Sequence, residues 1–377
     1  MDVPKKRLAI LGSTGSIGRQ ALEVVRSLRD SFEVVALAAG SNTSLLAGQI
    51  AEFRPRLVSW RDGAEPPAGD FETLTPLEIA AHPDVDIVVL AMPGGAGLEP
   101  TLEAVRSGKR LALANKESLV SAGEIIMSEA ARSGALITPV DSEHSAIWQC
   151  LNGEASQPSR LILTASGGPF RGYAKAQLEK VTPQQALAHP SWSMGRKVTV
   201  DSATLMNKGL EIIEAHWLFN MPYDQIEVII HPQSIVHSMV EFADGSIKAQ
   251  LSHPDMRLPI QYALTYPQRL PGRLRRLNWP ELASLQFTPP DSGTFPCLRL
   301  ARQAGEKGGS YPAVLCAADE AAVALFLEGR IRFTDIPTLV EKALEEHKGI
   351  SSPGIEVIQE VIAWSRQLVL KTAGAAS

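Results

Sequence analysis

The sequence predicts an α/β protein whose N-terminal part is a Rossmann-like, doubly wound parallel sheet. Short aliphatic, β-branched runs alternate with helical patterns over residues 1–140, as in successive βαβ units. Strand-like runs then follow one another more closely, which favours a central α+β domain with a mixed or antiparallel sheet. Apolar residues at helical spacing near the end of the chain predict a C-terminal helical bundle.

The individual elements follow from these patterns in chain order. The N-terminal strands are predicted at 8–11, 32–37, 86–91, 110–114 and 135–140. The central strands are predicted at 161–163, 197–200, 227–230, 236–242 and 247–251, with one helix at 203–219. Three C-terminal helices are expected at 313–327, 336–347 and 355–371, the second of them capped by Thr334. The predicted domains are therefore 1–140, 141–270 and 297–377, joined through a Pro-, Arg- and Ser-rich connector at 271–296.

Composition argues against several classes of protein. The 377 residues are 45% hydrophobic and carry a formal charge of −5, without a basic stripe that would predict nucleic-acid binding. The three cysteines have no C-x-x-C spacing, which favours a reducing compartment, and we expect a cytoplasmic protein. No apolar run reaches the length of a membrane span or of a signal-peptide core.

A glycine-rich loop connects the first predicted strand to the helix that follows. Gly12, Gly15 and Gly18 have the spacing G-x-x-G-x-x-G, a variant of the dinucleotide-binding pattern. Glycines there let backbone amides and the helix N-terminus approach a pyrophosphate. The alternative is a tight strand-to-helix turn, but the position at the start of a βαβ series favours a dinucleotide.

The second predicted strand ends without the acidic residue that NAD-binding proteins place against the ribose 2′-hydroxyl. Gly40, Ser41 and Asn42 stand there instead. A small polar loop accepts a 2′-phosphate that a carboxylate would repel, so the sequence favours NADP over NAD. The alternative is that these residues form only a turn.

Two carboxylates follow the fifth predicted strand. If the chain stays extended, Asp141 and Glu143 share one face and can bind one hard cation. The alternative, favoured by this tetrapeptide alone, is that these residues cap the following helix. Lys116 follows the fourth strand at the ligand-binding edge of the sheet. Its alternative is a solvated lysine at a helix start that Asn115 caps.

Three motifs in the central region each permit two interpretations. Ser166 and the glycines after it form either an anion-binding nest or a turn. On the predicted helix 203–219, Asn207, Lys208 and Glu211 share a surface that is either a site or a solvated face with a weak ion pair. The segment 189–197 contains His, Trp and Gly, and it is either a lid or a loop packed on its own core.

Six short strings occur in order along the chain: GSTGSIG (12–18), ANKESL (114–119), PVDSEH (139–144), SGGPF (166–170), HPSWSMGRK (189–197) and NKGLE (207–211). Taken together and in this order, they resemble the 1-deoxy-D-xylulose 5-phosphate reductoisomerase family over nearly the whole chain. The resemblance implies an NADPH-dependent homodimer that uses Mg²⁺, Mn²⁺ or Co²⁺ and acts on a sugar phosphate. The implied product is 2-C-methyl-D-erythritol 4-phosphate, in the non-mevalonate route to isoprenoids. The implied NADPH-binding and catalytic domains are 1–140 and 141–270.

The resemblance also implies roles for individual residues. Asp141, Glu143 and Glu211 resemble the metal ligands. Lys116 and Ser142 resemble contacts to the sugar backbone. The remaining implied residues are the phosphate pocket, Ser166, Ser202, Asn207 and Lys208 with His189 beside it; the lid, Trp192 and Met194; and the NADPH contacts, Thr14, Gly15, Ser16, Ile17, Gly40, Ser41, Asn42, Asn115, Glu117, Gly195 and Met256.

Two departures and two competing interpretations stand beside this assignment. Ser41 replaces a basic residue of many relatives, and residues 315–320 replace a pattern richer in asparagine. A semialdehyde-type dehydrogenase would instead use Cys150 as nucleophile and need no metal. A regulatory protein that senses dinucleotides would bind NADPH but lack a divalent-metal site.

Overall fold

The structure is a computed structural model that describes residues 4–61, 63–65, 67–192 and 194–375. The chain forms two compact units. The first contains residues 1–118, 126–145 and 255–275, and the second contains residues 119–125, 146–254 and 276–377. The predicted boundaries at residues 140, 270 and 296 stay predictions, because the two units interleave along the chain.

The strands of the described residues belong to two sheets. In chain order they are β1 (Lys6–Leu11), β2 (Phe32–Ala38), β3 (Leu57–Ser59), β4 (Glu72–Thr73), β5 (Ile87–Leu90), β6 (Arg110–Leu113), β7 (Ile137–Pro139), β8 (Arg160–Ala165), β9 (Ile226–Ile230), β10 (Val236–Glu241) and β11 (Ile247–Leu251).

The helices are distributed along the whole chain, and short 3₁₀ turns occur at Gly94–Gly97 and Tyr223–Gln225. In chain order they are α1 (Ser16–Ser27), α2 (Thr43–Phe53), α3 (Pro76–Ala81), α4 (Leu98–Arg106), α5 (Lys116–Ser133), α6 (Ser142–Leu151), α7 (Lys175–Leu178), α8 (Pro183–Ala186), α9 (Arg196–Thr204), α10 (Met206–Phe219), α11 (Arg257–Thr265), α12 (Trp279–Leu282), α13 (Cys297–Lys307), α14 (Tyr311–Leu327), α15 (Asp335–Glu346) and α16 (Ile355–Ala375).

The first unit contains a parallel sheet with the strand order β4-β3-β2-β1-β5-β6-β7. The order reverses between β1 and β5, and open α/β sheets bind ligands at the carboxyl ends of the strands beside such a reversal. The predicted doubly wound sheet is confirmed. Strands β3 and β4 were not predicted, because Leu57–Ser59 and Glu72–Thr73 do not lie in a longer apolar run, whereas the equally short β7 lies in the run 135–140.

One apolar core of the first unit holds helices α1, α2 and α11 against its sheet. Leu8, Ile10 and Val89 of the sheet pack with Leu22 of α1, all almost completely buried. Ile260 of α11 joins the same core, so this late segment packs beside elements from the start of the chain. Burial of a side chain of this size contributes roughly 1.5–3 kcal/mol.

The second unit contains a four-stranded mixed sheet with the order β11-β10-β8-β9. Strands β8 and β9 are parallel, whereas β10 is antiparallel to both of its neighbours. The predicted mixed sheet is confirmed. The connector predicted at 271–296 contains the short helix α12 and a single bridge between Ile230 and Thr288.

The strand predicted at 197–200 is wrong, because these residues lie in helix α9. Their β-branched side chains suggested a strand, but Thr199 donates through both its backbone nitrogen and its hydroxyl to the carbonyl of Gly195. The helix predicted at 203–219 is also interrupted. Leu205 has a left-handed φ of 62°, which separates α9 from α10.

Helices α13 to α16 follow the connector. The three predicted C-terminal helices correspond to α14, α15 and α16, and α14 packs against the other two. Helix α13 was not predicted; it packs on α10, where a Cβ at Gly209 would lie 2.4 Å from that of Ala301. Thr334 precedes α15 but its side chain makes no capping hydrogen bond, so that detail was wrong. No helix among the described residues has the length and apolar character needed to cross a bilayer.

Candidate functional site

The glycine-rich loop of the first unit packs closely on neighbouring backbone at two of its glycines. Gly12 has a φ of +94°, and a Cβ there would lie 2.5 Å from the Ala91 carbonyl oxygen. A Cβ at Gly18 would lie 2.3 Å from the Gly12 carbonyl oxygen. Helix α1 starts with no side-chain cap and no acidic residue in its first turn, as suits a phosphate. This loop and turn contain the predicted NADPH contacts Thr14, Gly15, Ser16 and Ile17.

The loop after β2 holds the next group of predicted NADPH contacts. Gly40, Ser41 and Asn42 are exposed. The Asn42 side chain accepts a hydrogen bond from the Leu45 backbone nitrogen at 3.1 Å and so caps α2. Met256, the last predicted contact, is partly buried against the core of the same unit.

The start of α5 shows which alternative holds for residues 115–117. Asn115 accepts from the Ser118 backbone nitrogen at 2.9 Å, so the predicted cap is confirmed. Its amide donates to the Met92 carbonyl and, at 3.1 Å, to Glu117. Lys116 is only 9% exposed, and its Nζ lies 2.7 Å from Asp141 Oδ2. The alternative of a solvated Lys116 is therefore wrong.

The two carboxylates after β7 stand at the start of helix α6 rather than on an extended chain. Asp141 Oδ1 accepts from the Glu143 backbone nitrogen at 3.1 Å, so the assumed extended backbone is wrong and helix capping is observed. Ser142 Oγ donates to Glu143 Oε2 at 2.6 Å. Both carboxylates are partly exposed at this helix start, which leaves their oxygens accessible to a cation.

His144, the next residue of the same motif, was not singled out from the sequence. It is completely buried, and its Nδ1 lies 3.3 Å from Asp141 Oδ1. Its position in the string PVDSEH was the available signal. His144 and Lys116 therefore face different oxygens of the Asp141 carboxylate.

In the second unit, Ser166 and His189 form a hydrogen-bonded pair. His189 Nε2 lies 3.0 Å from Ser166 Oγ. His189 Nδ1 accepts from the backbone nitrogens of Ser191 and Trp192 at 3.2 and 2.9 Å, which assigns the proton to Nε2. Burial lowers the pKa of His189 below its ordinary value, in agreement with this neutral form. Ser166 Oγ accepts from His189 and keeps its own proton to donate.

The loop that carries Ser166 packs closely on helix α9. Gly168 has a φ of +67°, and a Cβ there would lie 2.7 Å from the Ser202 carbonyl oxygen. Gly168 also donates its backbone N–H to Ser166 Oγ at 3.2 Å. The glycine thus brings two predicted phosphate-side residues, Ser166 and Ser202, into neighbouring segments.

The polar surface of α10 is buried rather than solvated. Lys208 and Glu211 are 4% and 1% exposed and form a short ion pair, and Asn207 Nδ2 donates to Glu211 Oε1 at 2.6 Å. The predicted shared surface is confirmed, and the alternative of a weak solvated ion pair is wrong. Two side chains thus orient the Glu211 carboxylate.

The predicted lid residues lie in a loop whose Ser193 is outside the described residues. Trp192 and Met194 are partly buried, and Gly195 caps α9. The Trp192 ring lies 6.1 Å from that of His237, whose Nε2 is 2.9 Å from Ser252 Oγ. His237 was missed in the sequence, where nothing local marks a histidine within a strand.

A second feature that the sequence did not reveal is a buried group of charges on α9 and α14. Lys197 Nζ lies 2.7 Å from Asp201 Oδ2 and 2.8 Å from Asp319 Oδ2. Burial, followed by the charge of Asp319, raises the pKa of the neighbouring Cys297 thiol. Cys150, the nucleophile of the competing dehydrogenase interpretation, is 6% exposed.

Three family models match consecutive parts of the chain. The model described as 1-deoxy-D-xylulose 5-phosphate reductoisomerase matches residues 8–123, and its C-terminal domain model matches residues 137–219. A further model, described as the DXP reductoisomerase C-terminal domain, matches residues 251–368.

Relatives and solved structures agree with these matches. The reductoisomerase of Pelotomaculum thermopropionicum is 52% identical over 97% of this chain and 98% of its own. That of Heliobacterium modesticaldum is 53% identical over 98% of each. A reductoisomerase crystallised with NADPH, fosmidomycin and magnesium has a TM-score of 0.92 at 38% identity, covering 98% of both chains. The Zymomonas mobilis enzyme with NADPH has a TM-score of 0.90 at 39% identity, covering 98% of this chain and 99% of its own. The chain therefore belongs to the 1-deoxy-D-xylulose 5-phosphate reductoisomerase family.

Proposed function

We propose that this protein performs the reaction of its family with the residues described above. It converts 1-deoxy-D-xylulose 5-phosphate to 2-C-methyl-D-erythritol 4-phosphate, a step of isoprenoid precursor biosynthesis that depends on NADPH and a divalent metal. Relatives of about half identity cover nearly all of the chain, and this is the observation that carries the proposal. The geometry of the two units supports roles for individual residues.

Asp141, Glu143 and Glu211 are the proposed metal ligands. Carboxylate oxygens suit Mg²⁺ or Mn²⁺, which prefer hard oxygen donors, and Co²⁺ is a further choice. Each part of the set is already oriented within its own unit, Asp141 by Lys116 and Glu211 by Asn207 and Lys208. When bound, the metal supplies Lewis acidity toward the substrate oxygens.

The proposed phosphate pocket consists of Ser166, Ser202, Asn207 and Lys208, with His189 beside it. His189 donates to Ser166 Oγ, which leaves the serine proton available to a phosphate oxygen. Lys208 adds a buried ammonium, which strengthens its attraction to a phosphate relative to an exposed lysine. Such an anchor keeps a bound sugar phosphate in place while its carbon skeleton rearranges.

The remaining proposed roles concern the sugar backbone, the lid and the cofactor. Lys116 and Ser142 contact the sugar, while Trp192 and Met194 close over it and exclude water. The cofactor contacts are proposed for Asn115 and Glu117 at the start of α5, together with Gly195, Met256 and the residues of the two loops after β1 and β2. NADPH supplies the hydride when bound.

The test follows NADPH absorbance during incubation with 1-deoxy-D-xylulose 5-phosphate. We expect oxidation that requires added Mg²⁺ or Mn²⁺ and stops on chelation. Metal-independent oxidation, or inactivation by a thiol reagent alone, would instead favour the dehydrogenase that uses Cys150. NADPH binding without turnover under any metal would favour a regulatory protein.

We further propose that the protein acts as a homodimer in the cytoplasm. The cytoplasmic assignment is supported by three cysteines that all remain free thiols. The dimer is supported only by the resemblance to the family. Sedimentation at equilibrium over a range of protein concentrations tests the dimer, and a monomer throughout that range would contradict it.

A further inference from the structure

The loop between β2 and α2 tolerates a 2′-phosphate but provides no positive side chain to bind it. Gly40, Ser41 and Asn42 occupy this loop, and the first turn of α2 contains no acidic residue. A phosphate dianion gains most from a charge-assisted hydrogen bond, and NADP-binding α/β proteins commonly supply one from a nearby arginine. The arginine therefore has to come from another segment of the first unit.

Arg61 follows the neighbouring strand and lies beside this loop. Strands β2 and β3 are parallel partners, with Ala38 paired to Ser59. The pairing continues beyond the strands, since Ala39 donates its backbone N–H to the Ser59 carbonyl at 2.9 Å. The Arg61 backbone N–H then reaches the Gly40 carbonyl at 3.4 Å. Arg61 is thus tied to the same loop that holds the predicted cofactor contacts.

The side chain of Arg61 is directed by its neighbour and is available to a ligand. Trp60 is partly buried, and its ring lies 6.2 Å from that of Phe71 in an edge-on arrangement against the core. Successive side chains of an extended chain alternate, so Arg61 leaves the opposite face and is exposed. It makes no side-chain hydrogen bond or ion pair with any described residue, whereas the nearby Arg56 contacts Asp84 at 2.8 Å.

We propose that Arg61 binds the 2′-phosphate of NADPH and determines the preference of this protein for NADPH over NADH. The Ser41 hydroxyl and the Asn42 amide act as additional neutral donors. Arg61 thereby supplies the positive charge that is missing because Ser41 replaces a basic residue. The proposal deepens the cofactor assignment made above and rests on NADPH binding at the loops after β1 and β2.

The experiment measures the dissociation constants of NADPH and NADH by fluorescence titration, without substrate or metal. We expect Arg61→Ala to weaken NADPH binding about 10- to 100-fold, the range of a hydrogen bond to a charged group, and to leave NADH binding unchanged. Arg61→Lys should recover part of the loss. Higher salt should weaken NADPH binding to the unchanged protein more than to Arg61→Ala.

Arg54→Ala is the matched control, because it removes the same charge from an exposed position at the far end of α2. A helix of 11 residues is about 16 Å long, beyond the screening length at physiological salt. Equal affinity of Arg61→Ala and the unchanged protein for NADPH would overturn the proposal but leave the proposed reaction intact. An equal loss for both dinucleotides would also overturn it, since a 2′-phosphate contact cannot affect NADH. Failure of the unchanged protein to bind NADPH would count against the proposed function itself.

Discussion

Two clusters in this protein each combine two carboxylates with one lysine, and they differ in the exposure of their carboxylates. In the first unit Lys116 contacts Asp141, whose side chain is 21% exposed. In the second unit one lysine contacts two aspartates whose side chains are 2% and 0% exposed. We call these the open cluster, Lys116, Asp141 and Glu143, and the closed cluster, Lys197, Asp201 and Asp319.

In these two clusters the exposure of the carboxylates determines what can balance their negative charge. In the open cluster a cation from solution can reach the carboxylates, as the proposed metal site requires. In the closed cluster the aspartates are removed from water, and a buried charge that loses its partner costs several kcal/mol. Similar residue types therefore form a proposed metal site in one region and a buried ion-pair cluster in the other.

The largest expected effect is on activity, in the open cluster. We expect Glu143→Gln to lower metal-dependent turnover by about 100- to 1,000-fold, as for loss of one charge-stabilising group in an active site. Stability should change little, because Glu143 is partly exposed. Turnover over a range of Mg²⁺ concentrations and NADPH affinity are the measurements, and the affinity should be unchanged.

Glu211→Gln should show the same loss of turnover with retained NADPH binding. The matched control is Glu345→Gln, which changes an exposed glutamate on α15 and should leave turnover unaltered. Full activity of either Glu143→Gln or Glu211→Gln would remove that residue from the proposed ligand set.

In the closed cluster, loss of the lysine should lower the stability of the protein. We expect Lys197→Met to lower the free energy of unfolding by about 3–5 kcal/mol, because it removes the ammonium that contacts both buried aspartates. Denaturant titration measures this change. Lys342→Met is the control. Lys342 is exposed, and its ion pair with the exposed Glu346 is long at 3.8 Å, so its loss should have little effect on stability. A similar small effect for Lys197→Met would show that the two clusters do not differ as described.

A smaller effect, an increase in stability, is expected when one negative charge is removed from the closed cluster. Lys197 approaches Asp319 to 2.8 Å, but neither Asp319 oxygen has a well-aligned hydrogen bond to a described donor. Asp319→Asn keeps the size of the side chain and removes one negative charge, so we expect a gain of about 1 kcal/mol and a rise in Tm of about 2–4 °C. Calorimetry measures the shift, and a marked fall in Tm would contradict this account. In the double variant with Lys197→Met, the loss should be smaller than for Lys197→Met alone.

The smallest expected effect is a difference in pH response between the two units. Burial lowers the pKa of His189, His231 and His347, all in the second unit, below the usual 6.5. Below about pH 6.5 these histidines therefore bind more protons in the unfolded state than in the folded state. Their contribution to the free energy of unfolding is complete above that pH and is lost as the pH falls toward their pKa values in the folded protein.

In the first unit, hydrogen bonds from Arg26 and Arg7 lower the pKa of Glu52 and Asp86, whose contribution is lost only at more acid pH. Between pH 7 and 5.5 we therefore expect these three histidines to lower the stability of the second unit, whereas Glu52 and Asp86 should not lower that of the first. Hydrogen exchange of each unit, corrected for intrinsic rates, measures this, and His347→Gln should reduce the loss. Equal losses in both units would contradict the assignment.

Much of the fold could be predicted because its signals are local. The five predicted strands of the parallel sheet and three C-terminal helices lie in longer apolar runs or have clear apolar periodicity. Helix α9 could not be recognised, since its Val-Thr-Val run favours a strand. Its helical form is supported by the contacts of Thr199 with Gly195 and of Lys197 with Asp201, and by packing on α10 and α14. Strands β3 and β4 are defined by their partners in the sheet rather than by their own sequences.

Some features of the candidate site could likewise be predicted from local sequence, and others could not. The glycine loop, the acid pair and the Asn-Lys-x-x-Glu surface were found from residue types and spacing, and their order along the chain identified the family. The burial of Lys116, the role of His144 and the pairing of Ser166 with His189 were not foreseen. Each of these depends on a neighbour whose distance and exposure have no local signature.

The sequence by itself determined the fold class, the cofactor type and the family, because glycine conformations, apolar periodicity and motif order are properties of neighbouring residues. The tertiary structure alone decided which carboxylates are open and which are closed. Lys197 and Asp319 are distant along the chain and meet only because α9 and α14 pack together. Packing fixes both the partner of a charge and its distance from water. These two quantities set how each carboxylate is balanced, by a lysine within the protein for the buried Asp319 and Glu211, and partly by access to solvent for Asp141 and Glu143.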